Sequence, residues 1–361
     1  MASTPGTYEF LLGTGGIGSG MFFALRGNET LGRNESRAGA VLDRRDFCKL
    51  HIVAHYVAVL AGAGRGGLEV LPIGRVGDDG PGRAMLDHMR RAGMDTRFVA
   101  VDPHRPTLFS VCFLYGDGDG GNITTDASAS AAVTAGDVDR AVEALADRKP
   151  GGGIALAVPE VPLEARQRLL ALGRERGWLT AAAVNTAEVA QAVADGMFRH
   201  VDLLAVNRDE AAALAGSADD GDVEALTRSA GEKLARLNPA VRLCVTAGSA
   251  GAWGWQDGRT EHTPPPPVTA VNTAGAGDAA LAALIVATAR GLPFIRPDRP
   301  PRKQLAEAPL ETALDLAALL AGLAVGSEDT INFQADAAAV AALAGRIGAD
   351  AAAIQPALAW S

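Results

Sequence analysis

The sequence has few of the features that mark secreted or disulfide-stabilised proteins. Only three of its 361 residues are cysteine, and Cys48, Cys112 and Cys244 form no CxxC pair, so no disulfide framework is expected. No Lys or Arg precedes Arg26, so the basic start of a secretory signal is missing. These absences predict a reducing, cytoplasmic setting.

Long hydrophobic runs and an excess of basic charge are also missing. The longest apolar stretches, 52–63 and 279–289, are too short or too interrupted to span a bilayer. The 42 acidic residues outnumber the 33 basic ones and give a net charge of −9, whereas non-specific nucleic-acid binding needs basic excess. No Gly-Lys dipeptide occurs, which excludes a Walker A loop. The expected partner is therefore a small molecule, and neither nucleic acid nor a membrane.

Strand-like and helix-like segments alternate along most of the chain. Short apolar runs such as 154–158 and 203–206 are separated by segments with helical spacing of apolar residues. This alternation predicts an α/β fold with a mostly parallel sheet that is covered by helices on both faces. Ligands of such folds bind beyond the carboxyl ends of the strands.

We interpret residues 1–361 as one α/β domain with two departures from this alternation. Strand-rich segments at about 20–45 and 96–125 predict a small β lid, and 292–309 carries five prolines and predicts an irregular insertion. A small apolar sheet would expose one face and its edges, so we expect a homodimer formed through the lid.

A GxGxxG pattern at Gly13–Gly18 offers one candidate function. It follows a predicted strand, and Glu35 lies at about the distance expected of a ribose-binding acid, which together would indicate an NAD(P)-dependent oxidoreductase. However, 43 glycines make a chance match common, and glycines further along disfavour the helix that must follow. This reading is kept as an alternative.

A second glycine-rich turn, 272–278, opens directly onto an apolar helix. The backbone N–H groups of Ala276, Gly277 and Asp278 would point out of the helix N-terminus and form a site for anionic oxygens. Asp278 lies among these donors and could accept a proton from a hydroxyl held there. A capped helix with an acid in its first turn explains the same residues equally well.

Two further segments combine a strand with a polar turn. Asn207 and Glu210 form an Asn-x-x-Glu after a strand, which could serve a hydrated Mg²⁺ or be a capping box. Thr246, Gly248 and Gly251 belong to a small-residue loop that would let phosphates approach the backbone, or that forms a tight hairpin turn.

Taken in order, NxxE, TxGxxG and the GAGD turn resemble the ribokinase-like (PfkB) family of carbohydrate kinases, and Gly74–Gly82 resembles that family's GxVGxDxxG segment. The resemblance implies a three-layer α/β sandwich with a β lid and ATP-dependent phosphorylation of a hydroxyl on a sugar or sugar-like molecule. By the same resemblance, Asp278 matches the general base, and Gly275, Ala276 and Gly277 match the anion hole. Asn207 and Glu210 match the contacts to Mg²⁺ and phosphate, with Glu210 acting through water. Thr246, Gly248 and Gly251 match the nucleotide loop, and 321–326 matches the adenine slot.

The sequence departs from the family pattern on the substrate side. Asn272 replaces the usual Asp of the signature, which makes a requirement for a monovalent cation doubtful. Gly39 and Asp43 match the family's substrate-binding segment only loosely. Basic residues are dense here and could bind an anionic substrate group or form a solvated surface; they are Arg26, Arg33, Arg37, Arg44, Arg45 and Lys49. A nucleoside kinase of the same fold, or a catalytically silent relative, remains an alternative.

Overall fold

The computed structural model describes residues 8–116, 120–296 and 298–360. Within these ranges, no helix is long and apolar enough to cross a membrane. The strands are β1 (Phe10–Thr14), β2 (Gly18–Leu25), β3 (Gly39–Phe47), β4 (Glu69–Gly77), β5 (Val99–Asp102), β6 (Leu108–Leu114), β7 (Gly120–Thr124), β8 (Gly153–Ala157), β9 (Leu179–Ala182), β10 (Leu203–Asn207), β11 (Arg242–Thr246), β12 (Ala252–Gln256) and β13 (Arg259–Thr263). The helices are α1 (Lys49–Leu60), α2 (Gly80–Arg91), α3 (Ala135–Glu143), α4 (Leu163–Glu175), α5 (Val189–Ala194), α6 (Arg208–Ala215), α7 (Val223–Ala235), α8 (Ala276–Ala289), α9 (Ala313–Ala324), α10 (Ala337–Arg346) and α11 (Gln355–Leu358).

A nine-stranded central sheet runs in the order β13-β12-β11-β10-β9-β8-β1-β4-β5. Its strands pair in parallel except at the β11–β12–β13 end, where two antiparallel pairs occur. One apolar cluster joins the sheet to α1, α8 and α9, and two others join it to α3–α7. The predicted three-layer α/β sandwich is therefore confirmed.

The central strands are buried because both of their faces are covered. Every residue of β1 and β8 is buried, which fits runs of apolar and small residues better than an alternating pattern. Helix α8 is buried almost all round between the sheet and α9, and its sequence is correspondingly apolar on every side.

A second sheet, with the order β3-β2-β6-β7, forms the predicted lid. One part of the predicted lid lies elsewhere. The strand at 99–102 pairs in parallel with 74–77 and becomes the edge of the central sheet, because β4 would otherwise have an unpaired side.

The GxVGxDxxG segment connects these two sheets. Asp79 caps α2 by accepting a hydrogen bond from the Gly82 amide at 2.7 Å, and it also accepts from the Thr107 amide at 2.8 Å. Since Thr107 immediately precedes β6, this one carboxylate ties a helix of the main body to the start of a lid strand.

The described residues of the proline-rich segment 292–309 form an irregular connection between α8 and α9 that is held by buried charges. Arg302 donates to Asp315 at 2.6 Å, and Arg299 lies 3.2 Å from Glu261 on β13. All four side chains are buried, so each charge depends on its partners in this cluster.

Candidate active site

The candidate residues meet where the parallel strands end. Asn207 and Thr246 are the last residues of β10 and β11 and are directly paired in register. They border a cavity of about 540 Å³ that the GAGD turn closes from the opposite side. Residues separated by about 70 positions in the sequence therefore share one space at the carboxyl edge of the sheet.

The turn before α8 needs glycine at its first position. Gly275 has a φ of 83°, and a Cβ placed there would lie 2.3 Å from the carbonyl oxygen of Thr330. No side chain caps the start of α8. The Ala276 amide makes one long hydrogen bond, 3.4 Å, to the Thr273 carbonyl, which leaves the Gly277 and Asp278 amides of this turn for other acceptors. Gly275, Ala276, Gly277 and Asp278 all line the cavity, as the anion-site interpretation requires.

Asn207 and Glu210 form the capping box that the sequence offered as an alternative. Asn207 Oδ1 accepts from the Glu210 amide at 2.9 Å, and Glu210 Oε2 accepts from the Asn207 amide at 2.8 Å. Both residues also line the cavity, so capping and ligand binding are compatible here. Burial raises the pKa of Glu210, and Lys49 partly offsets this effect.

The Thr246–Gly251 loop lines the cavity and is closed by its own backbone hydrogen bonds: the Ala247 amide donates to the Gly251 carbonyl at 2.8 Å, and the Gly251 amide to the Gly248 carbonyl at 3.0 Å. Thr246 Oγ1 donates to the Val206 carbonyl, and Gly248 and Gly251 have φ values of 55° and 92°. A ring nitrogen of His262, on β13, lies 2.8 Å from the Ala250 carbonyl oxygen and supports this loop from behind. The sequence analysis did not identify His262, because nothing local marks a histidine on an edge strand.

The predicted adenine segment lies at the apolar end of the cavity. Ala321, Gly322 and Val325 line it together with Pro265 and Pro266. A Cβ on Gly322 would lie 2.3 Å from Pro266, so the glycine permits close packing of the proline stretch against α9. This end of the cavity is lined by small and apolar residues, whereas the GAGD end carries Asp278.

Lys49, which the sequence analysis named only as one of six basic residues, borders the cavity, and Glu160, which it did not name, is a partner of Lys49. Lys49 Nζ lies 3.8 Å from Asp278 Oδ1, and the Lys49 amide donates to Glu160 Oε2 at 2.9 Å. Burial raises the pKa of Asp278, while Lys49 lowers it. Burial also raises the pKa of Glu160 to about 7. Only the tertiary structure brings these residues together, since Glu160 is 111 positions from Lys49.

A comparison with protein families decides the identity of this arrangement. Residues 57–338 match the profile described as pfkB family carbohydrate kinase. The chain belongs to this family. It is accordingly a phosphotransferase, and the order of motifs that suggested the resemblance is accounted for.

Solved structures show the same fold as this PfkB-family kinase. A ribokinase from Cryptococcus neoformans var. grubii serotype A, in complex with ADP, is 19% identical, has a TM-score of 0.70 and covers 94% of this chain and 99% of its own. A carbohydrate kinase from Agrobacterium tumefaciens is 20% identical, with a TM-score of 0.65 and coverages of 93% and 97%. A Burkholderia thailandensis nucleoside kinase in complex with inosine is 17% identical, with a TM-score of 0.67 and coverages of 94% and 99%.

The Gly13–Gly18 pattern of this PfkB-family kinase is not a dinucleotide fingerprint, so the oxidoreductase alternative is wrong. Gly18 begins β2, whereas a fingerprint must lead into a helix. The glycines are needed for packing: a Cβ on Gly15 would lie 2.4 Å from Val158, and one on Gly16 would lie 2.3 Å from Glu160.

On the lid, Asp46 acts on the site through its charge and does not itself border the cavity. Gly39 and Asp43 are both exposed on β3 and do not border the cavity, and Asp43 falls where the β2–β3 register shifts. Asp46 Oδ2 accepts hydrogen bonds from Ser110 Oγ and from Cys112 Sγ, the latter at 3.4 Å. Its charge acts on both Lys49 and Asp278.

The basic residues of the 26–49 region are dispersed. Arg37 pairs with Glu35, and Arg45 pairs with Asp329. Of the six basic residues, Lys49 is the one that borders the cavity. Its charge is already shared with carboxylates, so the region does not form one anion-binding patch.

Asn272 is held by hydrogen bonds at both ends of its side chain. Its Nδ2 donates to the Glu328 carbonyl at 2.8 Å, and its Oδ1 accepts from the Ala274 amide at 3.0 Å. The Asn272 side chain is buried, and its amide forms hydrogen bonds with backbone groups at the start of the turn.

Proposed function

We propose that this protein is an ATP-dependent kinase that phosphorylates a hydroxyl of a sugar or sugar-like molecule, with Asp278 as general base. The observation that carries the proposal is the position of Asp278. Its carboxylate lies in the first turn of an uncapped helix, in the same cavity as Asn207, Glu210 and the 246–251 loop. A hydroxyl bound beside Asp278 would meet the amides that can hold the transferred phosphoryl group.

The chemistry that this arrangement supports is positioning and charge stabilisation. Asp278 accepts the proton of the acceptor hydroxyl as its oxygen bonds to the γ-phosphorus, and the bond to the ADP oxygen breaks. The amides of Gly275, Ala276 and Gly277 donate to the oxygens of the transferred group. The Thr246–Gly251 loop holds the other phosphates, and 321–326 contributes to the adenine slot.

The residues present also fit a hydrated Mg²⁺. Among the described residues, no three His, Cys, Asp or Glu side chains are arranged as a direct metal-binding set. Glu210 offers a buried carboxylate at the cavity wall with one oxygen engaged in the capping box, which suits contact through water with Asn207 beside it. When bound, Mg²⁺ supplies neutralisation of phosphate charge.

The acidic surroundings of the hydroxyl side favour an uncharged acceptor. Asp46, Glu160 and Asp278 all act on Lys49, so this side carries more negative than positive charge. A substrate phosphate or carboxylate placed there would be repelled, whereas sugar hydroxyls can donate hydrogen bonds to carboxylates. We therefore propose a neutral polyhydroxy acceptor, with Asp46 as a substrate contact in preference to Asp43 or Gly39.

Three further features of the proposal concern the working enzyme. The saturated hydrogen bonds of Asn272 support turnover without a monovalent cation. The three cysteines are unpaired, which supports a reducing, cytoplasmic compartment. The lid supports a homodimer, because register and alternation place Met21, Val111 and Ile123 on its outer face.

An ADP-release screen of the parent and Asp278→Asn tests this function. The panel contains sugars, sugar acids, phosphorylated sugars and nucleosides, and a neutral sugar should give the highest turnover. Asn keeps the shape of the side chain, so the variant should lose about 10²–10⁴-fold in turnover while binding nucleotide normally. Unchanged turnover in this variant would remove Asp278 as the base. A nucleoside as the best substrate would establish the nucleoside-kinase alternative, and silence throughout would refute the proposal.

A further inference from the structure

Lys49 occupies a position that helix electrostatics disfavour. It is the first residue of α1, where the helix dipole repels a positive charge, and Cys48 before it makes no capping hydrogen bond through its side chain. Its side chain is 31% exposed, so the aliphatic part contributes only part of the packing. Neither the helix dipole nor burial therefore explains a lysine here.

The surroundings of Lys49 do explain its charge. Four carboxylates act on its ammonium group, and each comes from a different element: Asp46 from β3, Glu160 from the loop after β8, Glu210 from α6 and Asp278 from α8. Asp278 is the strongest of these influences and raises the pKa of Lys49, so the ammonium stays charged throughout the neutral range.

Asp278 needs a counter-ion because its environment opposes ionisation. Burial is the largest influence on its pKa and raises it, and Asp46 adds to this effect. Asp278 also acts on Glu160, Glu210 and Tyr56, where burial is the largest cause of the raised pKa and the charge of Asp278 adds to it. Among the residues that the structure describes, Lys49 is the basic side chain paired with Asp278.

We propose that Lys49 is a positioning residue for phosphoryl transfer, whose ammonium group keeps the Asp278 carboxylate charged and held at the cavity wall. This inference rests on the proposed function, because it gives Lys49 a role only if Asp278 accepts the hydroxyl proton. Lys49 exchanges no proton in the step. The proton passes from the hydroxyl to Asp278, and the phosphoryl group passes from ATP to the hydroxyl oxygen.

The pH profile of kcat/KM distinguishes this role from a structural one. In Lys49→Met, the acid limb should move up by at least about one pH unit, since an opposite charge at this distance shifts a carboxyl pKa by that order. At neutral pH kcat should fall about tenfold, with KM for ATP within about twofold and with part of the loss recovered at high pH. Lys49→Arg keeps the charge and should retain the parent profile.

Lys149→Met is the matched control, because Lys149 is exposed and lies outside the cavity. Thermal unfolding of each variant checks that it is folded, and Lys49→Gln serves as a second neutral variant if Lys49→Met is not. A neutral variant with the parent's acid limb, or with a uniform loss at every pH, would overturn the inference.

Asp278→Asn separates the two possible failures. If that variant is inactive and the Lys49 variants leave the acid limb in place, the positioning role alone fails. If Asp278→Asn retains turnover, the proposed base and the role of Lys49 fall together.

Discussion

At the scale of single residues, the site combines one lysine with carboxylates that burial drives towards protonation. Glu160 shows this most clearly, because its pKa rises to about 7 from an ordinary value of 4.5. Its backbone also has a φ of 76°, a conformation that non-glycine residues seldom adopt. Such a residue is maintained at the expense of stability, which is common where a side chain serves a ligand.

Replacement of Glu160 should raise the free energy of unfolding, and the size of this increase should depend on pH. The pKa of Glu160 is higher in the folded state than in the unfolded state. Protonated Glu160 therefore contributes its full stability below about pH 4.5, and this contribution is lost as the pH rises to about 7. Glu160→Gln retains an acceptor for the Lys49 amide. Its unfolding free energy should therefore exceed the parent's at pH 8 by on the order of 1–3 kcal/mol, but not at pH 4.5.

Calorimetry of the parent and Glu160→Gln at pH 4.5 and pH 8 measures this difference. Glu164→Gln is the control, because Glu164 is exposed on the neighbouring helix. A stability difference between Glu160→Gln and the parent that is independent of pH would contradict the assignment.

Glu210 gives a second prediction at this scale. Glu210→Gln retains the capping-box hydrogen bond but removes the charge, so its melting temperature should stay close to the parent's. The Mg²⁺ concentration for half-maximal turnover should rise about 10- to 100-fold, as for loss of an outer-shell partner.

The chain provides a matched control for that measurement. Asn185 and Glu188 repeat the same Asn-x-x-Glu capping box outside the cavity. Glu188→Gln should leave the Mg²⁺ dependence unaltered, whatever it does to stability. If the Glu210 variant behaves in the same way, Glu210 is only a capping residue.

At the scale of elements, the lid is coupled to the GAGD turn through one short segment. The Arg45 amide and side chain donate to Asp329, and the Phe47 amide donates to Thr330 Oγ1 at 2.9 Å. The carbonyl of Thr330 in turn packs against Gly275. Strand β3, which carries Asp46, is thus fixed relative to the start of α8.

Asp329→Ala should loosen this coupling without unfolding the protein. Loss of the bonds to Arg45 should raise KM for the acceptor about three- to tenfold, which corresponds to about 1 kcal/mol, while KM for ATP changes less than twofold. Steady-state kinetics with both substrates varied measure the two effects. Asp78→Ala, which breaks the exposed Asp78–Arg83 pair, is the control. Equal changes in both KM values would argue against a specific link to the lid.

At the scale of the whole molecule, the two faces of the lid differ in polarity. Asp46 and Ser110 lie on the face towards the cavity, whereas alternation places Met21, Val111 and Ile123 on the other. Val41 and Ile123 are 65% and 67% exposed. We therefore place the second copy of the chain of the proposed homodimer on this apolar sheet face, with the lids of the two copies in contact.

A charge on that face should therefore dissociate the homodimer. Light scattering at micromolar concentration should give twice the chain mass for the parent and a single chain mass for Ile123→Asp. Val101→Asp is the control, since Val101 is 52% exposed but lies on β5 of the central sheet. A monomeric parent protein would disprove the dimer.

The sequence alone was sufficient for the α/β fold and most of the lid, and it singled out the GAGD turn, Asn207, Glu210 and the 246–251 loop, which line one cavity. These features depend on local pattern: apolar runs for buried strands, a glycine that adopts positive φ before α8, and an acid in the next turn. Such features can be predicted from residues that are close together in the chain, because hydrogen bonds within turns and helices are local.

The tertiary structure decided the substrate side. Asn185–Glu188 and Asn207–Glu210 have the same local chemistry, and only the position at the end of β10 places the second pair in the cavity. Likewise, Asp43 falls at a register shift in β3, whereas the charge of Asp46 acts on Lys49 and Asp278, and Glu160 meets Lys49 only through packing of distant segments. Contacts between residues far apart in sequence depend on strand order and register, which no local pattern encodes.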